Sequence, residues 1–300
     1  MTNQQKALWA LLLAAFLGGS TGVFVKVGVL VIPPLTFTFL RFLLSTICLL
    51  PFISLKKIDK AHLKQLILLS FLPVTNVVLF AFGVKETTAI MGGFLYAFTP
   101  ILVALFGYLI YKQKLSTRKS WGLLLGMIGA IFLVGLPALE QATQYSGTLW
   151  GNFLVFSAVV TFALYSLFIK KHQEHHSVQF ITFVFVALTT LVLSPIALTD
   201  LLSNPDWFAG MNMMTWISLL FVGIGGGMGV YLVYQYALKF GGPLPASMMT
   251  FLQPIAGSLM AFLLLGEKLT INILLGSLPI FVGAWLVTVN KKEVKGARAS

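Results

Sequence analysis

The sequence predicts an all-α membrane protein with ten transmembrane helices, arranged as two inverted five-helix repeats. Of its 300 residues, 58% are hydrophobic and 9% are charged, and the mean hydropathy is +0.94. A soluble domain carries about 25% charged residues, so this chain cannot cover a water-facing surface. Apolar runs of membrane-crossing length recur along the chain, and a motif with a central proline occurs twice, 154 residues apart.

Each apolar run is long enough to cross a hydrocarbon core about 30 Å thick as a helix, which takes roughly 20 residues. The loops between the runs are too short to hold a separate folded domain. The first run follows Lys6 and resembles a signal peptide, but it is long and lacks a clear cleavage site, so we expect a retained helix. The predicted spans are 7–27, 34–53, 64–83, 89–111, 117–136, 148–169, 178–199, 214–236, 245–265 and 271–290.

The basic residues indicate the orientation of these spans. With the N-terminus inside, the chain ends and loops of one side hold 16 of the 20 Lys and Arg residues. Cytoplasmic loops carry such an excess, so both termini are expected in the cytoplasm. The net charge of +12 comes from these short loops, and we therefore expect no nucleic-acid partner.

The two halves of the chain match at an offset of 154 residues. Pro100 falls on Pro254, Lys114 on Lys268, and Gly122 and Gly129 fall on Gly276 and Gly283. The first helices of the halves align less well, through FVK ending at Lys26 and FIK ending at Lys170, which are 144 residues apart. Because five is an odd number, the second copy is expected to enter the membrane upside down. The predicted units are 1–143, 144–290 and a basic tail over 291–300.

These features resemble the EamA-type transporters of the drug/metabolite transporter superfamily. The resemblance rests on Pro33–Pro34 followed by Arg41–Phe42, on the proline-bearing fourth helix, and on Pro254 followed by LLLGEKLT. It implies a ten-helix, inverted-repeat exporter or importer of small metabolites in a bacterial inner membrane. The first half departs from the family pattern, because YKQKLS lacks the acidic residue often found there.

Polar residues at membrane depth are the candidate lining of a substrate cavity. Tyr96 and Thr99 precede Pro100, and Thr250 and Gln253 precede Pro254, with the same spacing. An i, i+3 pair shares one helix face, so the two pairs are expected to face each other. The prolines are expected to kink their helices and act as hinges. The alternative is that these groups only hydrogen-bond neighbouring helices.

Three further residues are candidates for the same cavity. Asn76 could line it or form an interhelical hydrogen bond, and Tyr234 follows the glycine run Gly223–Gly229. Arg41 could bind an anionic group such as a carboxylate, or it could extend to the interface or pair structurally. Lys26 is expected to extend to the interface, and Glu267 to lie in a solvated turn.

The predicted function is that of a secondary transporter moving small metabolites such as amino acids by alternating access, as an exporter or facilitator. The alternative is a membrane scaffold or a lipid-processing factor without transport activity. No set of reactive residues is seen at membrane depth, so we expect no enzyme, cofactor or metal site. The glycine run Gly223–Gly229 lacks a P-loop lysine and favours close helix packing. The expected partners are a small-molecule substrate and the lipid bilayer.

Overall fold

The computed structural model describes residues 3–53, 60–113, 116–139, 146–203, 205–251 and 253–288. The described residues form helices, turns and short connections, with no strand among them. The predicted boundary at 143–144, the tail over 291–300 and Lys114 lie outside these ranges.

The helices of the first half are α1 (Asn3–Val29), α2 (Pro34–Leu49), α3 (Lys60–Glu86), α4 (Ala89–Tyr96), α5 (Thr99–Tyr111) and α6 (Thr117–Leu139). The second half begins with α7 (Leu149–His172), α8 (Val178–Ser203), the short α9 (Asp206–Ala209) and α10 (Met213–Leu220). A π-helix over Phe221–Val230 joins α10 to α11 (Tyr231–Gly241). The chain continues through α12 (Pro243–Ser247), a 3-10 turn over Met248–Phe251, α13 (Gln253–Leu265) and α14 (Ile271–Thr288).

Seven helical stretches are long and apolar enough to cross a membrane, within the described residues. They are Pro34–Phe52, His62–Glu86, Ala89–Tyr111, Thr117–Leu139, Leu149–His172, Val178–Ser203 and Met213–Phe240. Three shorter apolar helices accompany them, at Ala15–Val29, Gln253–Leu265 and Ile271–Val287. Large hydrophobic side chains on the outside of the bundle, such as Ile131 and Leu259, are exposed, as lipid-facing residues must be.

Local sequence explains where the helices begin and end. Thr88, Thr148 and Asn212 are N-caps whose side-chain oxygens accept backbone N–H hydrogen bonds at α4, α7 and α10. The turn after α5 passes through Lys112 at φ 51°, and the turn after α13 passes through Gly266 at φ 64°. These residues occupy equivalent positions in the two halves, so both helical hairpins reverse through a left-handed residue.

The packing pairs helices from opposite halves of the chain. The principal neighbours are α3 with α7, α6 with α14, α2 with α8 and α1 with α13. The π-helix packs between α1 and α2. The two halves therefore interleave and do not form separate bundles.

The contact between α6 and α14 is close because glycines occupy it. A Cβ atom on Gly122 would lie 2.6 Å from the carbonyl oxygen of Gly283, and one on Gly129 would lie 2.8 Å from that of Gly276. Small residues allow helix backbones to approach in lipid, where dispersion and polar contacts drive association.

We predict that Gly283→Ala destabilises the protein by about 1–3 kcal/mol, because the added methyl group must displace backbone of α6. The measurement is the unfolding transition of the purified protein in lipid nanodiscs. Gly135→Ala on α6 is the matched control, since no atom lies within 4 Å of its added Cβ. Equal stability of the two variants would contradict this packing.

Candidate substrate cavity

A cavity of about 120 Å³ lies at the centre of the bundle, where the interrupted helices of the two halves meet. Its walls come from α1, α2, α3, α4, α7, the π-helix, α11, the 3-10 turn and α13. Its lining, mostly apolar with a few polar groups, is typical of small-molecule sites. The lining residues used below are Gly18, Gly22, Arg41, Asn76, Phe80, Gly92, Tyr96, Phe162, Tyr231, Tyr234, Met249, Thr250 and Gln253.

Two helix interruptions form part of the cavity wall. The α4 helix ends at Tyr96 and α5 begins at Thr99, with Pro100 in its first turn. In the second half a 3-10 turn ends at Phe251, and α13 begins at Gln253 with Pro254 next. Proline is accommodated in the first turn of a helix, where its missing N–H would have had no partner. The prolines therefore start new helices, where the sequence predicted kinks in continuous ones.

The hydroxyl groups beside the interruptions bind backbone carbonyls three residues earlier, and that of Tyr96 is the carbonyl that Pro100 leaves without its helical N–H partner. Thr99 Oγ1 donates to the carbonyl oxygen of Tyr96 at 2.6 Å, and Thr250 Oγ1 donates to that of Ser247 at 2.6 Å. Thr250 also lines the cavity, whereas Thr99 is fully buried and is not among the lining residues. The structure thus places three of the four residues of the predicted polar pairs at the cavity.

Asn76 joins three helices at the cavity wall. Its Nδ2 donates to the Tyr96 hydroxyl at 2.8 Å and to the carbonyl oxygen of Ala158 at 2.6 Å. Both predicted roles therefore apply, since Asn76 lines the cavity and holds α3 to α4 and α7. Because the Tyr96 oxygen accepts from Asn76, its own proton remains available to donate.

Tyrosines form much of the remaining wall. The Tyr234 hydroxyl lies 2.7 Å from Ser166 Oγ, while its ring faces the cavity and lies 4.8 Å from the Phe162 ring. The neighbouring Gln235 is bonded instead to Tyr165 and Gln173, and it is absent from the lining. Tyr231 also faces the cavity, one turn before Gln235.

Arg41 lies near the middle of α2 and reaches the cavity. The residue is 3% exposed, and its guanidinium carbon lies 4.7 Å from the centre of the Phe42 ring. Nε and Nη2 have no hydrogen-bond partner in the part of the chain that the structure describes. Arg41 was predicted to bind an anionic group, to extend to the interface or to pair structurally. Extension to the interface is inconsistent with this burial.

Glycines of α1, for which no specific prediction was made, complete the cavity. Gly18 and Gly22 are both lining residues, and Gln253 packs directly against Gly18. The run GGSTG at residues 18–22 places small residues within an apolar span. That composition, typical of close helix contacts in lipid, is the signal that could have identified them.

A partly buried ion pair lies at one end of the bundle beside the cavity. Lys26 Nζ lies 3.1 Å from Glu267 Oε1, and their side chains are 15% and 8% exposed. The Glu267 carboxylate also accepts from the backbone nitrogens of Ala89 and Ile90 at 2.9 and 3.0 Å. A carboxylate is favoured there, because the N-terminus of α4 carries partial positive charge. We call Lys26, Glu267 and the N-terminus of α4 the latch.

The latch corrects two sequence predictions. Lys26 does not simply extend to the interface, since Nζ also donates to the carbonyl oxygen of Thr87 at 2.5 Å. Glu267 does not lie in a solvated turn, because its carboxylate caps a helix. The matching lysine of the second half, Lys170, donates to the carbonyl oxygens of Leu238 and Lys239 at the opposite end of the bundle.

Comparisons with known proteins agree with this architecture. The sequence model of the EamA-like transporter family matches residues 5–135 and 149–289. The chain belongs to the EamA-like transporter family. An uncharacterized transporter of Archaeoglobus fulgidus is 27% identical over 98% of this chain and 100% of its own length. The uncharacterized transporter YoaV of Bacillus subtilis is 27% identical over 94% of this chain and 97% of its own.

A protein of known crystal structure has the same fold, with a TM-score of 0.64 and 17% identity over 93% of this chain and 95% of its own. This family membership identifies the chain as a multi-pass integral membrane protein of the drug/metabolite transporter superfamily, and as a transporter, not an enzyme.

We predict that Asn76→Ala destabilises the protein by about 1–3 kcal/mol, because two buried hydrogen bonds are lost. A double-mutant cycle with Tyr96→Phe, measured from unfolding transitions in nanodiscs, gives the share of this destabilisation that is due to the contact with Tyr96. Tyr96→Phe should lower the free energy of unfolding by less in the Asn76→Ala background than in the wild type. Additive effects would show that the two side chains are not coupled.

Proposed function

We propose that the protein is a secondary transporter that moves small metabolites, amino acids among them, across the bacterial inner membrane by alternating access. The observation that carries the proposal is the cavity between two interrupted helices, one from each half of the chain. Transporters of the inverted-repeat type bind their substrates near the membrane midplane, at discontinuous helices where the repeats meet.

The proposed membrane architecture has ten spans in two inverted repeats, with α4 and α5 sharing one span and α12 and α13 another. Helix contacts support it. The offset of 154 turns the contact of Gly122 with Gly283 into a contact of Gly276 with Gly129, which is also observed. A pseudo-two-fold axis between α6 and α14 accounts for both contacts together.

The proposed orientation places both termini in the cytoplasm. The end of the bundle that holds the latch then faces outward, and the end that holds Lys170 faces inward. The excess of Lys and Arg in the predicted cytoplasmic loops supports this orientation.

The latch supports a gating role, because the equivalent position of the second half is built differently. Glu267 corresponds to Gln113, which is exposed, and the N-terminus of α4 corresponds to Pro243, which has no N–H. Within the part of the chain that the structure describes, this charged closure therefore has no equivalent at the matching position of the second half. We propose that the latch holds the outer end closed in this conformation, and that transport requires it to open.

We predict that Glu267→Gln shifts the population toward the conformation open at the latch end, since it removes the charge that pairs with Lys26 and caps α4. The readout is labelling of Gly92→Cys in a Cys48→Ser background by a membrane-impermeant maleimide applied outside spheroplasts. Gly92 tolerates a Cβ, whose nearest neighbour is 3.7 Å away in Phe80.

We expect labelling to accelerate severalfold in Glu267→Gln, and to stay unchanged in Lys268→Gln, an exposed charge beside the latch. Labelling of the exposed Leu269→Cys reports whether this end of the bundle faces outward. Equal rates for Glu267→Gln and Lys268→Gln would contradict a role of the latch in closure.

The direct test of transport is counterflow in proteoliposomes loaded with a mixture of amino acids and small metabolites. We predict saturable uptake of labelled solute that Gln253→Ala weakens severalfold through a higher KM, because Gln253 is a cavity group. Ser194→Ala, at an exposed position of α8, should transport normally. Absence of counterflow for every solute, with folded protein, would favour the scaffold alternative.

A further inference from the structure

Among the described residues, the cavity contains one charged group, the Arg41 guanidinium, and no countercharge for it. None of the described lining residues is Asp, Glu or Lys. Moving a charge from water into a protein interior is costly unless the charge is paired and hydrogen-bonded. Two of the guanidinium nitrogens lack a protein partner within the described residues, so they are available to donate to an anion in the cavity.

The groups around Arg41 narrow the chemistry of that anion. Tyr96 has a hydroxyl proton that is not used toward Asn76 and can donate to an anionic oxygen. Phe80, Phe162, Tyr231 and Met249 supply an apolar and aromatic wall, which favours an organic solute over an inorganic ion.

We propose that the group this transporter recognises is a single carboxylate, bound by Arg41, with an apolar or aromatic remainder packed against the aromatic wall. The proposal rests on the transport function proposed above and specifies its substrate class. One guanidinium neutralises one negative charge and matches a planar carboxylate with two parallel hydrogen bonds. A phosphate dianion would leave an excess negative charge in the cavity.

An ammonium group on the solute has no carboxylate to pair with among the lining residues. The cavity therefore requires the carboxylate of an amino acid and does not require its amine. Monocarboxylates without an amine should bind at least as tightly as the matching amino acids.

The experiment compares solutes of one shape that differ in charge, by calorimetry with the protein in nanodiscs. The aromatic set is hydrocinnamate, its primary amide, phenylalanine, phenethylamine and phenyl phosphate. The aliphatic set is isocaproate, its amide and leucine. We expect each carboxylate to bind at least about tenfold more tightly than its amide, because a site built for a charged group is left unpaired by the neutral analogue.

Arg41→Gln should abolish this preference, so that acid and amide bind alike, and Arg41→Lys should retain part of it. Arg118→Gln is the matched control, since the Arg118 guanidinium also lies 4.7 Å from an aromatic ring, that of Trp285, but outside the cavity. Without solute, Arg41→Gln should unfold at the same or a higher temperature than the wild type, because an uncompensated buried charge is removed. That result also shows that the variant folds.

Three outcomes would overturn the proposal: no binding of any carboxylate, equal binding of acid and amide by the wild type, or a preference that survives in Arg41→Gln. Counterflow separates this proposal from the transport function. Counterflow of neutral or cationic solutes by the wild type, with no preference for carboxylates, would support the transport function and contradict carboxylate recognition. Selective carboxylate binding without counterflow would support carboxylate recognition and contradict the transport function.

Discussion

The whole architecture depends on hydrogen bonding of the backbone where a helix is broken inside a membrane. Lipid offers no partner for a freed N–H or C=O group, so an interruption must lie within protein or at a watery cavity. This chain breaks two helices, and it supplies the partners itself. Thr99 binds the carbonyl of Tyr96, which Pro100 leaves without its helical N–H partner, and Thr250 binds the carbonyl of Ser247. Pro100 and Pro254 lie at the start of the next helices, where a missing N–H needs no partner. The cavity lies where these two breaks meet.

Few charged residues lie in the bundle, and the pair at its end and the arginine at its centre have different proposed roles. Lys26 and Glu267 neutralise each other at one end, where a partly buried pair with backbone support can form and break. Arg41 stays in the centre with no protein countercharge among the described residues. A buried charge without a partner lowers stability, and the proposed carboxylate solute would supply that partner. In the proposed transport cycle, the end pair would control access to the cavity and the central charge would bind the solute.

The sequence predicted the helical membrane fold well because hydropathy and proline position act locally. It also predicted the cavity groups Asn76, Tyr96, Tyr234, Thr250, Gln253 and Arg41, since polar residues at membrane depth are few. Thr99 fell outside the cavity, because periodicity cannot tell a side chain that points inward from one that binds its own helix. Pairing of Glu267 with Lys26 could not be predicted, because 241 residues separate them and only the tertiary fold brings them together. The glycines of α1 were missed although the run GGSTG at residues 18–22 indicates a close helix contact.

Distances across the two ends of the bundle test alternating access most directly. Spin labels on a Cys48→Ser background would replace the exposed Leu30 and Leu269 at the latch end, and the exposed Gln113 and Phe240 at the Lys170 end. Pulsed electron paramagnetic resonance in nanodiscs would compare each pair with and without Glu267→Gln. The account predicts that the distance at the latch end lengthens while the distance at the Lys170 end shortens. Changes in the same direction, or at one end alone, would contradict it.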